Sequence, residues 1–118
     1  MVKHVPNQRD ALDRVFRALA DGTRRDMVER LVRGPATVGE LAPKTMSLPA
    51  VLQHLRVLED AGLVSSEKHG RVRTCQIEPA VLRMAEGWLG GQRTAWEHRL
   101  DALAELLDDS DDDRGTQP

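Results

Sequence analysis

Two short stretches of the chain carry side chains suited to gripping and reading a nucleic acid. The first holds Thr45, Ser47, Leu48, Pro49, Ala50, Leu52, Gln53, His54 and Arg56. Gln53 offers an amide of the kind that pairs with adenine, and Arg56 a guanidinium that reaches guanine or a phosphate. Ser47 is an N-cap residue type, and the free N–H groups of a helix start suit a phosphate oxygen. Ala50 and Leu52 offer apolar edges to a thymine methyl. The second stretch holds Lys68, His69, Arg71 and Arg73, a cationic cluster fit to lie along a phosphate backbone. Taken alone, Gln53 and Arg56 are also an ordinary solvated helix face, and a basic hairpin tip is commonly just exposed. The joint order of capped helix, polar face and cationic hairpin is what carries information. His54 borders the apolar face of its helix and reads as a packed or capping histidine.

Other chemistries lack a constellation. Cys75 is the single cysteine, which excludes a disulfide framework and a multi-cysteine zinc site. It reads as a small buried hydrophobe on a strand. The four histidines, His4, His54, His69 and His98, fall on different elements, whereas zinc-like metals want about four N or S ligands. Neither a metal nor another cofactor is expected. No grouping of His, Cys, Ser and carboxylate points to catalysis, so an enzyme is not expected.

The elements that must position these residues follow from apolar spacing. Leu12, Val15, Phe16 and Leu19 recur at helical intervals over Ala11–Ala20. Thr23 and Asp26 resemble a capping box for a second helix bearing Met27, Val28, Leu31 and Val32, which Gly34-Pro35 ends. Thr37 with Glu40 opens a short helix that Pro43 must shorten. Ser47 opens the next helix, from Leu48 to about Ala61, with Gly62 as its stop. At about 100° per residue, Val51, Leu55 and Leu58 share the buried face with Leu48 beside them. Pro49, Gln53 and Arg56 fall opposite, and Leu52 lies between. Leu63–Lys68 and Arg71–Ile77 read as two strands about a His69-Gly70 turn. A last helix spans Ala80–Leu107, interrupted by Gly90-Gly91. The fold class is mainly α with a small β-hairpin wing: a winged helix-turn-helix.

The charge bears on the partner. The 118 residues hold 17 Lys plus Arg and 19 Asp plus Glu, a net of −2, which argues mildly against a nucleic-acid binder. The charge is segregated, however. Residues 1–100 hold 16 basic and 12 acidic residues, a net of +4, while residues 101–118 hold one Arg and seven acids, a net of −6. The run Asp108–Asp113 has no apolar residue and is expected to be a disordered tail over 108–118, following one domain over 1–107. It would serve as a solubilising end or as an intramolecular mimic of DNA phosphate. No apolar run approaches the ~20 residues needed to span a bilayer, and no signal core opens the chain. A cytoplasmic protein without membrane contact is expected.

From Phe16 to about Leu107 the chain resembles the ArsR family of winged-helix repressors. The matching stretches are Leu19–Arg25, Val38–Ala42 and, most specifically, Met46–Val64. Trp88, Trp96, Glu97, Arg99, Leu100, Asp101 and Leu103 resemble a branch that does not sense metal. The resemblance implies a homodimer joined through its first and last helices on an imperfect palindrome of double-stranded DNA, with repression as the outcome and a small-molecule effector as an open possibility. The implied dimer residues are Leu12, Val15, Phe16, Leu89, Trp96, Leu100 and Leu103. The spacing of Leu89, Trp96 and Leu103 at seven residues independently fits a helix-to-helix seam, although a stripe facing its own core has the same spacing. The chain departs from the family's pattern at Leu52, where a small polar residue is usual, and at Pro43. Leu52 and the acidic end keep a second reading open: a winged-helix module for protein contacts with weakened DNA binding.

Overall fold

The computed structural model describes residues 7–115, with side chains over 7–109. The elements are α1 (Gln8–Leu19), α2 (Gly22–Val32), β1 (Ala36–Thr37), α3 (Val38–Leu41), α4 (Leu48–Asp60), β2 (Val64–His69), β3 (Val72–Ile77) and α5 (Pro79–Gly115). The fold class expected from the sequence holds: mostly helix, with one small antiparallel sheet ordered β1-β3-β2.

Capping explains most of the helix starts. Asn7 caps α1 by accepting the Asp10 N–H at 2.9 Å. Asp21 caps α2 by accepting the Arg24 N–H at 3.0 Å; the Thr23–Asp26 box expected there does not form, because the helix has already begun at Gly22. The Thr37–Glu40 box does form in both directions. The short helix α3 ends at Leu41, ahead of Pro43, as the lost N–H of proline requires. Ser47 caps α4, and Pro49 sits in its first turn. Beyond Ala61, Gly62 adopts a φ of 77°, its N–H bonds to Glu59 O, and the Leu63 N–H reaches back to Leu58 O. This is a Schellman closure, and the buried Leu58 and Leu63 accompany it.

β2 and β3 pair from Val64↔Ile77 to His69↔Val72. The connecting residues are therefore Gly70 and Arg71, one place later than the expected His69-Gly70. Gly70 has a φ of 63°, the conformation that a two-residue hairpin loop demands of its first residue. β1 adds Ala36↔Cys75 and Thr37↔Thr74 on the other side of β3. Two residues without alternation carry no strand signal, so this strand is legible only in three dimensions.

The chain divides into two compact units, residues 1–85 and 86–118. The first unit holds the core. Leu31, Leu55, Leu58, Leu63, Val15, Val51 and Cys75 are its largest fully buried side chains. Leu12 and Val15, implied as dimer residues, are instead buried in this core, because their face of α1 packs inward with Ala18. Phe16, beside them, keeps over a third of its surface exposed. In the second unit α5 runs unbroken through Gly90-Gly91. The acidic run expected to be irregular from residue 108 continues α5 as far as Gly115. Extending an existing helix fixes one residue per hydrogen bond and avoids the costly nucleus. Residues 116–118 lie outside the described part, as does His4.

Candidate nucleic-acid interface

The site is built on α4 and the β2–β3 hairpin. Val51, Leu55 and Leu58 anchor α4 in the core. That leaves Leu48, Pro49, Leu52, Gln53 and Arg56 exposed, with Ala50 half-buried beside them. Leu48 was expected beside the buried face but is 59% exposed, because it opens the first turn and projects past the edge of the core. Thr45 is exposed in the turn between α3 and α4. The Ser47 hydroxyl accepts the Ala50 N–H at 3.4 Å.

The side chains of Gln53, Arg56, Lys68 and Arg71 make no hydrogen bond or ion pair with another described residue. All four are exposed, Gln53 and Arg56 along the outer face of α4 and Lys68 and Arg71 at the hairpin tip. Arg73, grouped with them in the sequence, is occupied elsewhere. Its Nε donates to Ser66 Oγ at 2.9 Å, and its Nη2 lies 3.4 Å from both carboxylate oxygens of Glu59. Ser66 Oγ in turn donates to Glu59 at 2.7 Å. This triad braces the hairpin against the end of α4. His69 lies 3.3 Å from the Glu67 carboxylate.

His54 behaves as a packing residue. Its Nδ1 lies 3.2 Å from Arg24 Nη1 and 3.8 Å from Asp21 Oδ2. Arginine only donates, so Nδ1 accepts in the Arg24 contact. Arg24 Nε also donates to Ala18 O at 2.6 Å, and its Nη2 donates to Arg17 O at 3.2 Å. One guanidinium thus ties the end of α1 to the start of α2 and the flank of α4. The Arg24 N–H that Asp21 accepts, with the nearby positive charge of Arg24, holds the Asp21 carboxyl below its usual value. Glu40 is lowered in the same manner by the N–H and hydroxyl of Thr37.

A groove of about 580 Å³ separates α4 from the hairpin. Leu48 and Leu52 form one wall, the β1–α3 junction at Thr37–Gly39 another, and Lys68, Arg71, Val72 and Arg73 the third. Reasoning from sequence missed the Thr37–Gly39 contribution, which β1 brings to the groove, and that of Val72, which opens β3 between Arg71 and Arg73. Cys75 is enclosed, as expected. Burial, then the charge of Glu59, pushes its thiol up and away from the reactive thiolate form. Among the described residues no group of His, Cys, Asp and Glu could hold a metal ion, and no helix is long and apolar enough to cross a membrane.

A short capped helix, a turn, a second helix with an exposed polar face, and a cationic hairpin behind it define a winged helix-turn-helix protein. Comparison with known proteins makes this specific. A family profile described as a helix-turn-helix domain matches residues 19–67. The chain is 45% identical to the HTH-type transcriptional regulator Rv2034 of Mycobacterium tuberculosis, over 86% of this chain and 92% of that one. It is 29% identical to the transcriptional repressor SdpR of Bacillus subtilis, over 66% of this chain and 88% of that one. The crystal structure of the ArsR family transcriptional regulator RHA00566 superposes with a TM-score of 0.72 at 46% identity, covering 82% of this chain and 97% of that one. The chain belongs to the ArsR family of winged helix-turn-helix transcriptional regulators, which are DNA-binding proteins and not enzymes.

Proposed function

We propose that this protein is a sequence-specific repressor that binds a palindromic operator as a homodimer, through α4 and the hairpin. The carrying observation is the set of exposed polar side chains without a side-chain partner among the described residues, Gln53 and Arg56 along the outer face of a capped, core-anchored helix and Lys68 and Arg71 on the adjoining hairpin. Gln53 and Arg56 are assigned to base edges, Lys68 and Arg71 to phosphates, and the Ser47 end of α4 to a phosphate oxygen. The name of SdpR, a repressor, supports the direction of regulation. The dimer is supported by α5, where Leu89, Trp96, Leu100 and Leu103 are each at least 44% exposed. Four large apolar residues on one helix, three of them at a seven-residue interval, fit a seam with a second helix. A dimer of this type meets half-sites one turn of DNA apart, about 34–36 Å. The work is done in the cytoplasm, without metal, and any effector is a small molecule of a class left open.

Fluorescence anisotropy with DNA flanking the protein's own gene tests this. Specific affinity should fall steeply between about 50 and 200 mM salt. Replacing Gln53 by Ala should alter sequence preference, while replacing Lys68 by Ala should weaken all DNA about equally. Absence of binding to any such fragment at low salt overturns the proposal in favour of a protein-contact module, a reading that the exposed Leu48 and Leu52 favour.

A further inference from the structure

We propose that Leu48 and Leu52 recognise thymine methyl groups, so that the operator is read partly by apolar contact. This rests on the DNA-binding reading above and adds what one flank of that face selects. The two leucines stand four residues apart and therefore share a face of α4. They are 59% and 37% exposed, and Val72 across the groove is 51% exposed. Neither a phosphate oxygen nor a base heteroatom gains anything from an isobutyl group. In the major groove the C5 methyl of thymine is the apolar group that base pairs present.

The surroundings match the same occupant. The leucine wall faces a rim carrying Lys68 and Arg71, which complements the phosphates of a strand whose bases lie against α4. Gln53 follows Leu52 directly and suits adenine. An adenine read by Gln53 carries its thymine on the opposite strand, so both residues favour A·T pairs at neighbouring positions.

The test starts from an operator selected out of a random DNA pool with the full-length protein. Each thymine is replaced in turn by deoxyuridine, which lacks only the C5 methyl, and affinity is measured by anisotropy. Loss of one contacted methyl should weaken binding about fourfold, the scale of one buried CH₂. The thymine-to-uridine ratio should stay constant between about 50 and 200 mM salt, because a methyl contact releases no counterions, while affinity itself falls. The ratio should collapse toward one in Leu52→Ala or Leu48→Ala. Both side chains are exposed, so these variants should melt like the parent, and the uridine series needs no variant at all. Equal affinity for every thymine and uridine operator, or variants that keep the ratio, overturns the inference. If salt-sensitive specific binding persists without any uridine effect, this inference fails and the DNA-binding reading stands. If no DNA is bound, both fall.

Discussion

Arg71 and Arg73 lie two residues apart on the same hairpin, yet their surroundings differ, and the proposed function gives them opposite tasks. Arg71 has no partner among the described residues, so its charge is available to a phosphate. Arg73 is held by Ser66 and by both oxygens of Glu59. Each phosphate contact contributes about 0.9 to the slope of log affinity against log salt. A homodimer presents Arg71 twice, so Arg71→Ala should lower the slope by about 1.8. Over the fourfold rise from about 50 to 200 mM salt, the parent should then lose about 12-fold more affinity than the variant. Arg73→Ala should leave the slope unchanged. It should instead cost about 0.5–1.5 kcal/mol of stability, the range for a half-exposed ion pair with an attached hydrogen bond. That corresponds to a drop in Tm of a few degrees for a unit of this size. Salt titrations by anisotropy and melting by circular dichroism separate the two effects. If Arg73→Ala flattens the slope as much as Arg71→Ala, the bracing role is wrong and Arg73 leaves Glu59 to hold DNA.

Three further outcomes are expected. Asp21 and Glu40 have folded-state values below their usual ones. Their stabilisation is therefore complete above the ordinary carboxylate range and is lost as pH falls through the lowered folded values. The urea midpoint should be flat near neutral pH and decline below about pH 4, and Asp21→Asn should shrink the decline. Trp96→Asp places a charge in the seam proposed on α5; light scattering should then give the mass of one chain, and a retained dimer places the seam elsewhere. Cys75 should react with a thiol reagent far more slowly in the native protein than in urea, and equal rates would contradict its burial.

What could be read from sequence was whatever local periodicity and caps encode. The Ser47 cap, the Thr37–Glu40 box, the Pro43 stop and the Gly62 stop each depend on residues within a turn of one another. The α4 face was legible for the same reason: Val51, Leu55 and Leu58 fix its orientation, and Gln53 and Arg56 follow. What was not legible depends on distant pairings. β1 exists only because β3 lies beside it. Arg73 looks like any hairpin cation until Glu59, 14 residues away, is brought beneath it. Leu12 and Val15 lie on an apolar stripe that serves a core and an interface equally well in sequence, and the packing of α1 decides for the core. The hairpin turn shifted by one residue because His69 pairs with Val72, leaving Gly70 at the position that needs positive φ.

The central claim is that the start of α4 and the hairpin tip together form the DNA-binding face. Amide hydrogen exchange of the full chain, with and without its selected operator, tests it most directly. The account predicts slowed exchange on DNA at residues 45–56 and 66–73, with little change in α1. Slowing confined to residues 86–109, or none over α4 and the hairpin while DNA is bound, would contradict it.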